Sequence, residues 1–144
     1  MGMVMNVVSI IIAGHGQLAG ALMNSAEMIA GKQTGVTAVT LAPNDGIDTL
    51  DAKFKAALDS FSGKDVLILT DLWGGSPFNA AAKLVAGDIG HLALIAGVNL
   101  PLVLEAYMVK DQPLSKVVDH LNEVALTTIK QFKVPTTDNG EDLL

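Results

Sequence analysis

The chain has 144 residues, the size of a single domain, and half of them (50%) are hydrophobic while only 17% are charged, which excludes disorder over most of its length. The net charge of −6 excludes the basic surface that nucleic-acid binding needs. The lack of cysteine excludes disulfides, zinc–thiolate sites and thiol nucleophiles.

Strand and helix signals alternate along the chain. Short aliphatic runs predict strands, and apolar residues spaced three or four apart predict helices. The predicted strands are Val7–Ala13, Val36–Leu41, Val66–Thr70 and Leu92–Ala96. The predicted helices are Leu18–Ala30, Ile47–Phe61, Pro77–Ala86 with Ser76 as its N-cap, Pro101–Lys110 and Ser115–Thr128. The six methionines are expected to fill gaps in the core.

This alternation is typical of a mainly parallel sheet with helices on both faces. We expect one three-layer α/β/α domain over residues 1–135 and a flexible tail over 136–144. Ligands of such sheets bind beyond the carboxyl ends of the strands, where the strand order reverses. Three loops with unusual residues fall at that edge: 14–17, 71–76 and 97–99. If strands one and three are neighbours, His15 and Asp71 face each other across a crevice.

His15 lies between Gly14 and Gly16, just before a predicted helix. A neutral imidazole is a nucleophile, the glycines let a bulky anion approach, and a helix N-terminus favours negative charge. This setting favours a phosphorylated histidine over a structural one. Asp71 ends a buried strand. Its carboxylate can either accept a hydrogen bond from one imidazole nitrogen, leaving the other free to react, or cap its own turn.

A glycine-rich stretch, Trp73-Gly74-Gly75-Ser76-Pro77, follows the third predicted strand. Its glycines allow an exposed run of backbone N–H groups that binds anions, and the Ser76 hydroxyl can donate to a phosphoryl oxygen. Trp73, the only tryptophan of the chain, is either a core residue or an anchor for a protein partner. Asn99 can brace its loop but has no assignable chemistry.

Other motifs fit less well. Residues 14–19 match the dinucleotide fingerprint, but the second predicted strand ends in Leu41-Ala42-Pro43, without the acidic residue that binds a ribose. The sequence has no Walker loop and lacks the acidic pair and lysine of a phospho-aspartate receiver domain. One histidine and one aspartate are too few to hold a metal ion, so we expect neither metal nor cofactor. His91 and His120 are interpreted as surface histidines.

Three stretches resemble the IIA component of the mannose-type family of the phosphoenolpyruvate-dependent sugar phosphotransferase system (PTS). They are Ile11-Ile12-Ala13-Gly14-His15-Gly16, Asp71-Leu72-Trp73-Gly74-Gly75-Ser76-Pro77-Phe78-Asn79-Ala80 and Ala96-Gly97-Val98-Asn99-Leu100-Pro101. The resemblance runs in colinear order over residues 6–133, and the second stretch is long and specific.

The resemblance implies a phosphocarrier. Phosphorylated HPr would give its phosphoryl group to Nε2 of His15, while Asp71 bonds the other ring nitrogen. The group would then pass to a histidine of the IIB component, and finally to a sugar entering through the membrane components IIC and IID. The resemblance also implies a homodimer that exchanges a C-terminal edge strand, near Thr128–Val134. Family members often carry threonine where this chain has Leu72, so that hydroxyl is missing here.

We therefore predict a cytoplasmic PTS phosphocarrier whose four-stranded, mainly parallel sheet has the order 2-1-3-4. The predicted catalytic residues are His15 and Asp71. The residues predicted to bind the phosphoryl group are Gly16, Gly74, Gly75 and Ser76, and those predicted to contact partners are Trp73, Pro77, Phe78 and Asn99. Two alternatives stay open: a related phosphocarrier for a dihydroxyacetone kinase, and a non-catalytic nucleotide- or ligand-binding module on the same fold.

Overall fold

The computed structural model describes residues 7–136. The strands are β1 (Ser9–His15), β2 (Val36–Leu41), β3 (Val66–Thr70) and β4 (Leu92–Ala96). The helices are α1 (Leu18–Ala30), α2 (Ile47–Ser60), α3 (Ser76–Gly87), α4 (Leu100–Val109) and α5 (Leu114–Val124), and a 3₁₀ turn over Ala125–Thr127 follows the last of them. Among these helices, none combines the length and apolar character needed to cross a membrane.

The four strands form one parallel sheet in the order β2-β1-β3-β4, which confirms the predicted order. β1 lies between β2 and β3, with Ala13 opposite both Val39 and Thr70. The two central strands are apolar over residues 10–13 and 66–69, as expected of strands whose faces are both covered by helices. The carboxyl ends of β1 and β3 therefore lie side by side at one edge.

Two hydrophobic cores lie on opposite faces of the sheet, because side chains along a strand alternate between its faces. Ile10 and Ile12 point into the core that α1, α4 and α5 cover. Ile11 and Ala13 point into the core that α2 and α3 cover, where Phe54 is fully buried. This arrangement is the predicted three-layer α/β/α architecture.

Three predicted boundaries at the carboxyl edge differ from the observed ones. β1 includes Gly14 and His15, because these residues pair with Thr40 and Leu41 of β2. The N-cap of α3 is Gly75, not Ser76, which is the first helical residue and forms no capping bond with its side chain. The α4 helix begins one residue before Pro101, at Leu100.

The C-terminal part departs most from the prediction. The α5 helix ends at Val124 instead of Thr128, and the Thr127 and Thr128 hydroxyls donate to the carbonyls of Val124 and Ala125 (both 2.7 Å). Such hydroxyl bonds compete with the helical pattern and favour a tighter turn. Residues 128–136 form neither helix nor strand within this single chain. Most of the predicted tail lies outside the described residues.

The methionines do not all fill the core. Met23 packs against it, whereas Met28 and Met108 are 88% and 73% exposed, so the prediction is wrong for these two. The first three methionines lie outside the described residues.

Candidate active site

His15 and Asp71 meet at the carboxyl ends of two neighbouring parallel strands. His15 is the last residue of β1 and Asp71 directly follows β3, and the backbone N–H of Asp71 donates to the carbonyl of Ala13 (3.1 Å). The structure thus brings together the two residues that the sequence analysis placed across the crevice. The His15 side chain is 46% exposed and that of Asp71 only 8%.

Asp71 binds the His15 imidazole and two neighbouring backbone N–H groups. Its Oδ2 accepts from the ring Nδ1 (2.7 Å) and from the backbone N–H of His15 (2.9 Å), and its Oδ1 accepts from the N–H of Leu72 (2.9 Å). An ionised carboxylate only accepts, so Nδ1 carries the proton. The lone pair of the neutral ring is therefore on Nε2, which bonds to no residue within 7–136.

The Asp71 carboxyl is stabilised in its ionised form. Burial by itself would raise its pKa, but the hydrogen bonds from the His15 backbone and ring, together with the N–H of Leu72, outweigh it and hold this pKa below its usual value. A partly buried carboxylate that stays ionised can orient the imidazole and stabilise positive charge on it.

The other side of the imidazole lies against Gly75, the N-cap of α3. A Cβ atom placed on Gly75 would lie 2.9 Å from Cε1 and 3.5 Å from Nε2 of His15. The first N–H groups of a helix have no partner within the helix, and they favour an anion beside them. The sequence analysis placed His15 before the helix that follows it and assigned Gly74, Gly75 and Ser76 to the phosphoryl group. The structure places the ring edge that carries Cε1 and Nε2 beside the start of α3.

Three glycines shape the site. Gly16 and Gly74 have φ values of +58° and +87°, a left-handed conformation that favours glycine where the chain leaves each strand end. Gly14 lies beneath the Asp71 carboxylate, and a Cβ there would approach its Oδ2 to 3.2 Å. The sequence analysis gave Gly14 a role in letting an anion approach His15, but it did not predict this contact, because Asp71 lies 57 positions away.

Exposed apolar side chains border the site. Trp73 is 78% exposed and its ring packs on Phe78, with the centroids 4.4 Å apart and the planes tilted by 39°. Leu72 and Leu18 are about half exposed. Pro77, predicted to contact partners, is buried under the first turn of α3, so the exposed patch contains Trp73 and part of Phe78 but not Pro77.

Asn99 has a structural role in its own chain. Its Oδ1 accepts from the N–H of Leu102, which caps α4, and its Nδ2 donates to the Thr128 hydroxyl (both 3.0 Å). Both ends of this part-buried side chain are thus engaged within the chain. Of the predicted site residues, Asp71 bonds to the imidazole, and Gly75 lies beside it, where an added Cβ would meet the ring.

The other two histidines differ in their settings. His91 is exposed, as predicted, and its Nδ1 lies 3.0 Å from a carboxylate oxygen of Asp65. His120 is only 33% exposed, and its Nε2 lies 2.8 Å from Oε1 of Glu105, so it links α5 to α4 instead of lying free on the surface. Within residues 7–136, no three histidine or carboxylate side chains converge as a metal site would require.

The sequence matches the profile of a protein family, EIIA-man, described as the PTS system fructose IIA component, over residues 9–122. The chain belongs to this family. It is 38% identical over 128 residues to the PTS fructose-specific EIIA component of Bacillus subtilis (strain 168), covering 88% of this chain and 86% of that protein. It is 33% identical over 138 residues to the sorbose-specific EIIA component of Lacticaseibacillus casei, covering 92% of this chain and 96% of that protein.

Other members of the EIIA family carry this domain within longer chains. The PTS mannose-specific EIIAB component of Escherichia coli (strain K12) is 42% identical over 105 residues, which is 72% of this chain. The chain spans about a third (32%) of the length of that relative. The family match confirms the resemblance that the sequence motifs indicated.

Solved structures of EIIA proteins share the fold. The EIIA component from Streptococcus agalactiae has a TM-score of 0.81 at 26% identity, covering 87% of this chain and 97% of its own. The mannose/sorbose-specific IIA subunit from Enterococcus faecalis has a TM-score of 0.82 at 26% identity, covering 90% and 98%. The α/β architecture predicted from the sequence is therefore that of the family.

Proposed function

We propose that the chain is a PTS phosphocarrier that accepts a phosphoryl group from phospho-HPr on Nε2 of His15 and passes it to a histidine of a IIB component. The observation that carries this proposal is that the two ring nitrogens of His15 have different surroundings. Asp71 binds its Nδ1, while Nε2 is free of partners within residues 7–136 and faces the start of α3. Family membership supports the same role.

The proposed step is a direct transfer between two imidazoles. The Nε2 lone pair of His15 attacks phosphorus in line with the donor nitrogen; the new N–P bond forms as the donor N–P bond breaks, and its electron pair returns to the donor ring. The Nδ1 proton stays on His15, and Asp71 stabilises the charge that the ring acquires. The backbone N–H of Gly16, predicted to bind the phosphoryl group, donates instead to the carbonyl of Leu41 (2.9 Å). In this proposal the N–H groups of Gly74 and Gly75 and the exposed Ser76 hydroxyl bind the phosphoryl oxygens, so catalysis is mainly positioning and charge stabilisation.

We propose that HPr and the IIB component dock on the same apolar patch, Trp73 with Phe78. Trp73 lies within two residues of Asp71 and is largely exposed, which suits an anchor at the centre of a small, transient interface. The net charge of −6 would attract a basic partner, so steering makes the association rate fall as salt rises. We also propose that the transfer takes place in the cytoplasm, and the lack of cysteine fits that reducing compartment. The membrane components IIC and IID would be supplied only indirectly, through the IIB component.

We further propose a homodimer in which the segment after Thr128 adds to the sheet of a second copy. β4 is an edge strand, and the bond between Asn99 and Thr128 anchors this segment near the carboxyl end of β4. Ile129, Phe132 and Val134 are all more than half exposed in the single chain. A dimer in sedimentation velocity that becomes a monomer when the chain is ended at Thr128 supports the exchange; an unchanged dimer contradicts it.

Phosphoryl transfer tests the main proposal. Incubation with phosphoenolpyruvate, Enzyme I and HPr should place one acid-labile phosphate on each wild-type chain and none on His15→Ala, while adding the cognate IIB should remove it. His91→Ala is the matched control and should be labelled like wild type. Label that persists in His15→Ala, or that survives acid as a phosphoester does, contradicts the proposal. Label that no IIB component removes would favour the dihydroxyacetone-kinase alternative.

A further inference from the structure

We propose that Gly75 is a positioning residue for His15, acting by the absence of a side chain and not only through its backbone N–H. The imidazole has a neighbour at two places: Asp71 bonds to Nδ1 at 2.7 Å, and Gly75 lies beside the adjacent ring edge, which carries Cε1 and Nε2. Gly75 thereby limits how far the ring can turn towards α3. The positioning of the ring by Gly75 does not depend on the proposed function. The expected effect of Gly75 on phosphoryl transfer rests on that function.

The space that a side chain would need at Gly75 is already filled by the ring. An added Cβ would lie 2.9 Å from Cε1, whereas two carbon atoms in contact prefer about 3.5–4.0 Å. The same Cβ would also come within 3.4 Å of Cδ1 of Leu72. Any residue other than glycine therefore forces either the ring or the start of α3 to move.

The backbone at Gly75 is held more firmly than the ring. Its carbonyl accepts from the N–H of Asn79 (2.8 Å), and the first turn of α3 is anchored by buried Pro77 and Ala80. The imidazole, by contrast, is nearly half exposed and can swing towards solvent. The ring is therefore expected to move, which stretches its bond to Asp71 and carries Nε2 away from the helix start.

The requirement for glycine at this position is steric and not conformational. The φ and ψ angles of Gly75 are −79° and 175°, an extended backbone that any residue adopts. This distinguishes it from Gly74, whose φ of +87° would strain a substituted residue whatever the space. Gly75→Ala is thus a suitable probe, because alanine adopts this backbone conformation without strain and adds only the Cβ.

The test compares Gly75→Ala with Gly87→Ala, at the other end of the same helix, where none of the other described residues lies within 4 Å of an added Cβ. In ¹⁵N NMR of the unphosphorylated full chain, Gly75→Ala should move the His15 ring signals and weaken the Nδ1–H signal, while Gly87→Ala leaves both as in wild type. Transfer from phospho-HPr should slow roughly 100-fold in Gly75→Ala, since a displacement near 1 Å can cost that much, and about twofold or less in Gly87→Ala.

A double substitution tests whether Gly75→Ala slows transfer by displacing the His15 ring. In an Asp71→Asn background the ring is already loosened, so Gly75→Ala should slow transfer by much less than it does alone. Unchanged His15 signals in a folded Gly75→Ala chain, or two effects on rate that simply multiply, would overturn the proposal. If wild type accepts no phosphate, the proposed function fails, but the NMR comparison still decides the positioning role.

Discussion

Two histidine–aspartate pairs lie at opposite ends of the same sheet. His15 and Asp71 meet at the carboxyl ends of β1 and β3, with nitrogen and oxygen 2.7 Å apart. His91 and Asp65 meet just before β4 and β3, at the amino ends, with a separation of 3.0 Å. Judged by distance alone, the two pairs are close to equivalent.

Their surroundings differ. Asp71 is 8% exposed and accepts hydrogen bonds from the ring and two backbone N–H groups, whereas Asp65 is 40% exposed and offers His91 a single side-chain contact. The His15 ring also lies against the N-cap of a helix. A histidine–aspartate pair therefore becomes a candidate site through the burial of its carboxylate and the groups around its free nitrogen, not through the pair itself.

The largest contrast should appear when each aspartate is replaced. Asp71→Asn should slow phosphoryl transfer from phospho-HPr by roughly 100-fold or more, because an amide no longer fixes the Nδ1 proton or stabilises charge on the ring. Asp65→Asn should change the rate about twofold or less, as expected of an exposed surface residue. Rapid-quench transfer assays measure both. Equal rates for the two variants would remove the distinction between the two ends.

The second largest contrast between the two ends of the sheet should be in partner docking. Trp73→Ala should raise the dissociation rate of HPr about tenfold, since an exposed aromatic anchor typically contributes 1 kcal/mol or more. Ile89→Ala is the matched control: Ile89 is 85% exposed but lies beside the amino end of β4. Surface plasmon resonance with immobilised HPr gives both rates. A larger effect for Ile89 would place the docking surface at the opposite end.

Salt should affect association and not dissociation. If the acidic chain steers a basic partner, the association rate of HPr falls between low and physiological ionic strength, while the dissociation rate changes little. Stopped-flow transfer across a salt series measures this effect. A rate that is flat or rises with salt would exclude the acidic charge from recognition.

Acid should weaken the stabilising contribution of Asp71. The pKa of this carboxyl is lower in the folded chain than its usual 3.8, so its contribution is present above pH 3.8 and is lost as the pH falls through the folded value. At neutral pH, Asp71→Asn should lower the free energy of unfolding by about 1–3 kcal/mol, the range for charge-assisted hydrogen bonds. In urea unfolding the gap from wild type should shrink between pH 5 and pH 3. A gap that widens over that range contradicts this assignment.

The smallest expected effect is the contribution of His91 to stability, and its pH dependence is opposite to that of Asp71. Its hydrogen bond with Asp65, and then the charges of Asp88 and Asp65, raise its pKa above 6.5. Its contribution to stability is therefore present below pH 6.5 and lost as the pH rises through the folded value. The pair is exposed, so the difference between wild type and His91→Gln should be small and should favour wild type more at pH 5.5 than at pH 8.5. A reversed pH trend in urea unfolding would show that Asp65 is not its partner.

The sequence by itself determined the architecture, because local patterns carry that information. Unbroken aliphatic runs such as Val66–Thr70 mark strands covered on both faces, and their alternation with helices leads to a parallel sheet. Parallel strands have their carboxyl ends at the same edge of the sheet, so the sequence alone was enough to place His15 and Asp71 together. The motif around Asp71 was also specific enough to indicate the family, which the comparisons confirmed.

Only the tertiary structure decided the details of contact. Which helix start faces the ring, the burial of Pro77, the engagement of Asn99 and the steric role of Gly75 all depend on residues that are distant in sequence. No local pattern encodes that a Cβ on Gly75 would lie only 2.9 Å from a ring at the end of β1, 60 positions earlier in the chain. Periodicity and turn chemistry specify the elements and their order, whereas the distances between side chains are set by how the packed elements meet.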